Sequence, residues 1–101
     1  MNILKAFYLS NVKDFINNLS ISDQIKIKGA INALEKGEFQ SVYIKHLKGN
    51  IKELRVKKYR LIFFIFKQDI CFARIFIKKT IKTPIKEIES AEKIYKLFIQ
   101  K

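Results

Sequence analysis

The three arginines of this 101-residue chain are the residues best suited to chemistry, and all lie in its second half. Arg55, Arg60 and Arg74 interrupt segments that are otherwise apolar. A guanidinium at the rim of a cleft can bind phosphate through two parallel hydrogen bonds, whereas a buried one must be paired with an acid. Phosphate binding is therefore one interpretation of Arg60 and Arg74, and a structural ion pair with Glu53 or Asp69 is the other.

Positive charge is concentrated around these arginines. The chain has 21 Lys and Arg residues against nine acidic ones, a net charge of +12, and residues 51–101 carry fourteen of the basic residues. Such a patch repels itself unless a polyanion, usually nucleic acid, binds it. A general preference for lysine is the alternative explanation, but it does not account for the arginines. The predicted RNA-binding residues are Lys52, Lys57, Lys58, Tyr59, Arg74 and Lys82.

Several other classes of chemistry are not indicated. The chain has no Walker loop, Rossmann glycine pattern, HExxH motif or nucleophile elbow. One cysteine (Cys71) and one histidine (His46) cannot build a structural zinc site, so we expect no metal or cofactor and assign Cys71 to the core.

The longest apolar run, Leu61 to Phe66, has six residues, whereas a membrane span needs about 18. The first residues do not resemble a signal peptide, and we expect a cytoplasmic protein with no membrane partner.

The apolar periodicity predicts an α+β fold, because it changes from helical to strand-like after Gly49. The first half predicts a strand over Ile3–Leu9 and a hairpin of two helices, the second starting at Ser22-Asp23 and ending at Gly37. The second half predicts three antiparallel strands, Ile51–Val56, Tyr59–Phe66 and Ile70–Ile77, and a helix starting at Thr83-Pro84. The order is β-α-α-β-β-β-α in one domain over residues 1–101, with the antiparallel sheet packed on the helical hairpin.

Alternation along the last strand predicts which face carries charge. The odd positions from Cys71 to Ile77 are all apolar and should pack on the helical hairpin. Arg74 and Lys78 would then lie on the opposite face. Arg60 precedes an apolar strand, which places it near the rim of the sheet.

A set of short motifs resembles one family. These are Glu53-Leu54-Arg55, Tyr59-Arg60, Lys78-Lys79-Thr80, Lys82-Thr83-Pro84, and Glu87-Ile88 with Ala91. In this order they resemble the HigB-like (phage Gp49-like) branch of the RelE/ParE toxin superfamily. The resemblance implies a RelE-like single domain that acts as the toxin of a type II toxin–antitoxin system. It further implies a metal-independent endoribonuclease that cleaves mRNA on the ribosome and is silenced by an antitoxin, of the helix-turn-helix, HigA-like kind.

The resemblance also implies roles for individual residues. Arg60 matches an arginine that binds the scissile phosphate, and Lys78 or Lys79 matches a basic residue that supports cleavage. Alternation along the last strand favours Lys78, whereas the register with the wider superfamily favours Lys79, which we choose. Arg55 would be either catalytic or part of an ion-pair scaffold. The better-known RelE pattern has lysine where this chain has Glu53, so a general base cannot be assigned from it. His46, Lys52 and Tyr59 are the candidates for proton transfer.

Two other functions fit the same sequence less well. A ParE-like inhibitor of DNA gyrase would share the fold but would not need the Tyr59-Arg60 and Lys78-Lys79-Thr80 motifs. A basic RNA- or DNA-binding module without catalysis would be supported only by the aromatic residues interleaved with lysine.

Overall fold

The computed structural model describes residues 3–100, which form a five-stranded sheet and three helices. The strands are β1 (Lys5–Tyr8), β2 (Tyr43–Lys48), β3 (Ile51–Val56), β4 (Tyr59–Phe66) and β5 (Asp69–Ile77). The helices are α1 (Ser10–Asn17), α2 (Ile21–Glu35) and α3 (Ile85–Ile99). The α+β class is confirmed, and the predicted elements follow one another in the predicted order. None of the helices within residues 3–100 is long and apolar enough to cross a membrane.

The strand order in the sheet is β1-β5-β4-β3-β2, which adds one strand to the predicted set. Strands β2 to β5 are antiparallel neighbours, while β1 pairs with β5 in parallel. The additional strand, β2, is an edge strand with four exposed residues and a register shift between His46 and Lys48. Polar side chains and irregular pairing are common at sheet edges, and they remove the alternation that would have predicted this strand.

Helices α1 and α2 cover one face of the sheet, as predicted. Their buried residues Val12, Ile16, Ile27, Ile31 and Leu34 pack in one cluster with apolar residues of β3, β4 and β5. Helix α2 begins two residues earlier than predicted, because Ser20 rather than Ser22 caps it and accepts a hydrogen bond from the Asp23 amide. Its end is marked by Gly37, which adopts a φ of 79° that disfavours other residues.

Helix α3 covers the opposite face of the sheet. Ala91 is fully buried there, and the rings of Tyr95 and Phe98 meet the ring of Phe64 edge-on at centroid distances of 5.0 and 5.3 Å. Ion pairs attach the helix at two further points, from Glu87 to Arg74 and from Glu92 to Lys48. The sheet therefore has two covered faces, which explains why the core of β4 is apolar on both sides.

A β-bulge in β5 makes the predicted alternation wrong for its first half. The register pairs Ile62 with Arg74 but Phe63 with Phe72, so Ala73 is an extra residue in β5. Before the bulge, the odd residue Cys71 faces α3 and Phe72 faces the helical hairpin. After it, Ile75 faces the hairpin, as predicted, and Arg74 faces α3.

Candidate active site

A pocket of about 520 Å³ lies where β3, β4 and β5 meet the segment that connects β5 to α3. Its lining contains five cationic residues and two acidic ones: Arg55, Arg60, Lys78, Lys79, Lys82, Glu53 and Glu87. All five cations are predicted site residues: four were considered for catalysis, and Lys82 was predicted to bind RNA. They come from β3, from β4 and from the loop after β5. The fold therefore collects these residues into one positively charged cleft.

Arg60 is buried, with 8% exposure, but it has no acidic partner within residues 3–100. Its Nη1 donates hydrogen bonds to the carbonyl oxygens of Lys57 and Tyr59, each at 2.9 Å. The carbonyls are available because Lys57, at a φ of 54°, turns the chain between β3 and β4. The predicted alternative, an ion pair with Glu53 or Asp69, is not formed. Carbonyls orient the guanidinium without neutralising it, so its charge is left to attract an anion.

Glu53 is the most deeply buried charged residue of the described chain, with 1% exposure. One carboxylate oxygen accepts a hydrogen bond from Arg55 Nε at 2.9 Å, and the other accepts one from the Thr83 hydroxyl at 2.6 Å. Glu53 and Arg55 are two residues apart on one strand and therefore share a face. The carboxylate fixes the Arg55 guanidinium and also ties the loop before α3 to the sheet. The helix was predicted to start at Thr83-Pro84, but α3 starts at Ile85, and the Thr83 hydroxyl donates to Glu53.

Lys78 and Lys79 both line the pocket, and both follow the last residue of β5, Ile77. The amide of Lys78 donates to the Lys58 carbonyl at 2.8 Å, which keeps the start of the loop against the β3–β4 turn. Beyond it, the Thr80 hydroxyl donates to the Lys82 carbonyl at 2.7 Å. Because the loop has left the strand, side-chain alternation does not decide which lysine reaches a bound phosphate.

Arg74 is paired rather than free. Its Nε donates to Glu87 Oε1 at 2.7 Å, which links β5 to the first turn of α3. The ion-pair interpretation is therefore correct in kind, although the partner is neither Glu53 nor Asp69. Glu87 is half-buried between Arg74 and the pocket.

The three predicted proton-transfer candidates lie away from this pocket. His46 of β2 is opposed to Lys52 of β3, and Lys52 is in turn opposed to Phe63 of β4. Phe63 packs against the helical hairpin, so His46 and Lys52 lie on the hairpin face of the sheet and the pocket lies on the α3 face. The exposed His46 ring contacts the Gly49 carbonyl at 2.7 Å. Tyr59 is packed in the hairpin core, next to Phe15.

Asp23 of α2 holds the turn between β3 and β4. It accepts hydrogen bonds from Lys57 Nζ at 2.6 Å and from the Tyr59 hydroxyl at 2.5 Å. The bond from Lys57, and then that from Tyr59, lowers the pKa of Asp23, and the same carboxylate raises the pKa of Tyr59. Lys57 and Tyr59 therefore support the turn whose carbonyls orient Arg60, and Lys58 is exposed beside them. Elsewhere, burial raises the pKa of the Cys71 thiol to about 12, as expected for a core cysteine.

Two residues with clear roles in this geometry, Glu53 and Thr83, were not predicted as site residues. The spacing of Glu53 and Arg55 on one strand is a signal that could have indicated their pairing. Thr83 is 30 residues from Glu53, and no local pattern connects them. Across residues 3–100, no group of three or more His, Cys, Asp or Glu side chains is arranged to hold a metal ion.

Comparison with known proteins agrees with this geometry. Residues 14–96 match the family described as phage-derived protein Gp49-like (DUF891). The chain belongs to the Gp49-like family. The Gp49-like chain also resembles a chain in the crystal structure of the RelB-RelE antitoxin-toxin complex from Methanococcus jannaschii, with a TM-score of 0.60 and 18% identity. The similarity covers 82% of the Gp49-like chain and 94% of the other, and it shows a RelE-like fold. A search of curated proteins found no match.

Proposed function

We propose that this Gp49-like protein is the toxin of a toxin–antitoxin system and that it cleaves mRNA on the translating ribosome. The observation that carries the proposal is the guanidinium of Arg60, which has no acidic partner among residues 3–100 and lies in a pocket lined by Lys78, Lys79 and Lys82. Such a site suits a substrate that brings its own negative charge, as a phosphodiester does. Membership of the Gp49-like family and the RelE-like fold support the toxin assignment.

The proposed reaction is attack by a ribose 2′-hydroxyl on the adjacent phosphorus, which breaks the bond to the 5′-oxygen. Arg60 binds the phosphate, and the lysines neutralise the charge that develops on its oxygens. Each such donor contributes roughly 10²–10³-fold to the rate. These side chains supply the charge relief that a metal ion supplies in other nucleases, and we therefore propose a reaction that needs no metal.

Two proton transfers complete the reaction, each contributing about 10²–10⁴-fold. Both carboxylate oxygens of Glu53 accept hydrogen bonds, from Arg55 and from Thr83. Glu87, the other carboxylate of the pocket lining, accepts one from Arg74 at Oε1. Its Oε2 accepts none from the described residues 3–100, so Glu87 is the proposed acceptor of the 2′-hydroxyl proton. Lys79 is the proposed donor to the leaving 5′-oxygen. The choice of Lys79 over Lys78 rests on the family register, since both lie beyond the end of β5.

A cognate antitoxin is the proposed partner. A net charge of +12 favours an acidic segment that covers the pocket and associates rapidly. Co-purification with the product of an adjacent gene tests this, and a neighbour that neither binds nor restores growth would contradict it. Whether that antitoxin is of the helix-turn-helix, HigA-like kind would follow from its sequence. The proposal places the reaction in the cytoplasm, where the translating ribosomes are.

The function is tested by inducing the protein and sequencing mRNA ends. We expect cuts in phase with codons and only in translated messages, whereas a reporter with a blocked start codon should stay intact. Double-strand DNA breaks with intact mRNA would instead identify a ParE-like gyrase inhibitor. Growth arrest with neither lesion would reject both nuclease and gyrase functions and favour a binding module.

A further inference from the structure

A single row of directly opposed residues crosses four strands beside the pocket. The register pairs Tyr43 with Arg55, Arg55 with Arg60, and Arg60 with Phe76. Opposed residues of neighbouring strands project from the same face of a sheet, and here it is the face that carries the pocket. The row, which we call the Arg–aromatic row, consists of two adjacent arginines with an aromatic ring at each end.

The ring of Tyr43 is the exposed end of this row. Tyr43 lies on the edge strand β2 with 59% exposure, so it contributes little to the core. The Arg55 guanidinium lies over the ring, with its central carbon 4.8 Å from the ring centroid. Because Glu53 holds Arg55, the guanidinium is fixed over the ring of Tyr43, which itself remains largely exposed.

The spacing between strands relates this surface to the proposed phosphate site. Tyr43 and Arg60 are two strands apart, which is about 10 Å at the usual strand separation. A nucleotide neighbouring the phosphate bound at Arg60 can span this distance. Aromatic rings and guanidinium planes are the groups on which proteins stack unpaired RNA bases.

We propose that Tyr43 and Arg55 form a stacking platform for an unpaired base of the mRNA, adjacent to the phosphate that Arg60 binds. This inference rests on the proposed function and extends it by assigning a base-binding subsite at the rim of the pocket, between Arg55 of its lining and Tyr43 beyond it. Stacking needs only a ring face, so the Tyr43 hydroxyl has no required role. Such a platform would hold the RNA chain on one side of the scissile phosphate.

The test uses mRNA with 2-aminopurine at successive positions of one codon, protected from cleavage by 2′-O-methyl groups and bound to programmed ribosomes. Stacking quenches 2-aminopurine fluorescence. The full-length protein is compared with Tyr43→Ala, Tyr43→Phe and Arg60→Ala. Phe39→Ala is the matched control, since Phe39 is an aromatic residue with 42% exposure that does not line the pocket.

We expect wild type, Tyr43→Phe and Phe39→Ala to quench one position with equal affinity. Tyr43→Ala should lose that quenching and bind about 5- to 150-fold more weakly, the range for loss of one base–aromatic contact. If Arg60→Ala weakens binding but Tyr43→Ala does not, the platform is refuted while the proposed nuclease site stands. If wild type neither binds nor quenches on ribosomes and Arg60→Ala changes nothing, both the platform and the proposed function are wrong.

Discussion

Replacing Glu53 by Gln should weaken both the fold and the site, because this carboxylate joins them. The substitution keeps the size of the side chain but removes the charge that pairs with Arg55, 24% of whose side chain is exposed. A hydrogen bond to a charged group contributes about 1.5–3 kcal/mol. Partial exposure of Arg55 lets water replace some of this loss, so we expect about 2 kcal/mol. For a domain of this size that corresponds to a decrease in Tm of about 8–16 °C.

A matched variant separates the two contacts of Glu53. Thr83→Val removes only the hydrogen bond to the loop that follows β5, and it leaves the ion pair with Arg55 intact. We expect Thr83→Val to destabilise by about 1 kcal/mol. Because the two substitutions share a partner, their effects should not add, and the double variant should fall short of the sum by at least about 0.5 kcal/mol.

Calorimetry and mRNA cleavage together provide the assay for these variants. Thermal unfolding gives the Tm, and cleavage on ribosomes well below the Tm gives kcat. Both Glu53→Gln and Thr83→Val should lower kcat, since both release the loop that carries Lys78 and Lys79. A Glu53→Gln protein with unchanged Tm and unchanged kcat would refute the role of Glu53 as the link between sheet and loop.

Three further predictions concern single contacts and the overall charge. Lys79→Ala and Glu87→Gln should each reduce cleavage at least about 100-fold and Lys78→Ala less; equal loss in the two lysine variants would reject the choice of Lys79. Asp23→Asn should lower the Tm most near neutral pH. Because the pKa of Asp23 is lowered in the folded protein, the Tm difference between wild type and Asp23→Asn should vanish as the pH falls below the ordinary value of 3.8. The pKa of Tyr59 is raised in the folded protein, so the same Tm difference should also decrease as the pH rises above the ordinary value of 10.0. Calorimetry of both proteins across this pH range tests both expectations. A Tm difference that stays constant at acid pH would contradict the pairing of Asp23 with Lys57 and Tyr59. Ribosome affinity should fall about 10³-fold between 50 and 200 mM salt if about six phosphates are contacted. An affinity that does not change with salt would show that the positive charge reflects a general preference for lysine rather than RNA binding.

The helices and the central strands could be predicted because their periodicity reflects burial on one or two faces. The apolar spacing of Val12 and Ile16, and the continuous apolar run of β4, each correspond to core residues in the structure. The edge strand β2 and the bulge at Ala73 could not be predicted in this way. An edge strand is only half-buried, and one extra residue in a strand reverses the face of every residue beyond it.

The site was predicted in part for a similar reason. Arg60, Lys78 and Lys79 stand out by residue type, and the fold does bring them to one pocket. The contact of Glu53 with Thr83 and the turn held by Asp23 join residues more than 25 positions apart in the chain. Such contacts depend on the packing of α2 and of the loop before α3 onto the sheet, which no local pattern records. His46 was selected by residue type alone, and its position on the other face separates it from Arg60.

Cleavage of mRNA by Arg60 variants on purified ribosomes tests the central claim most directly. Arg60→Ala should reduce kcat about 10²–10³-fold, the usual cost of removing one donor to the transition state, and Arg60→Lys should retain an intermediate rate because it keeps the charge but not the paired donors. Circular dichroism and Tm measurements check that both variants are folded. A folded Arg60→Ala protein that cleaves mRNA at the wild-type rate would contradict the proposed nuclease site.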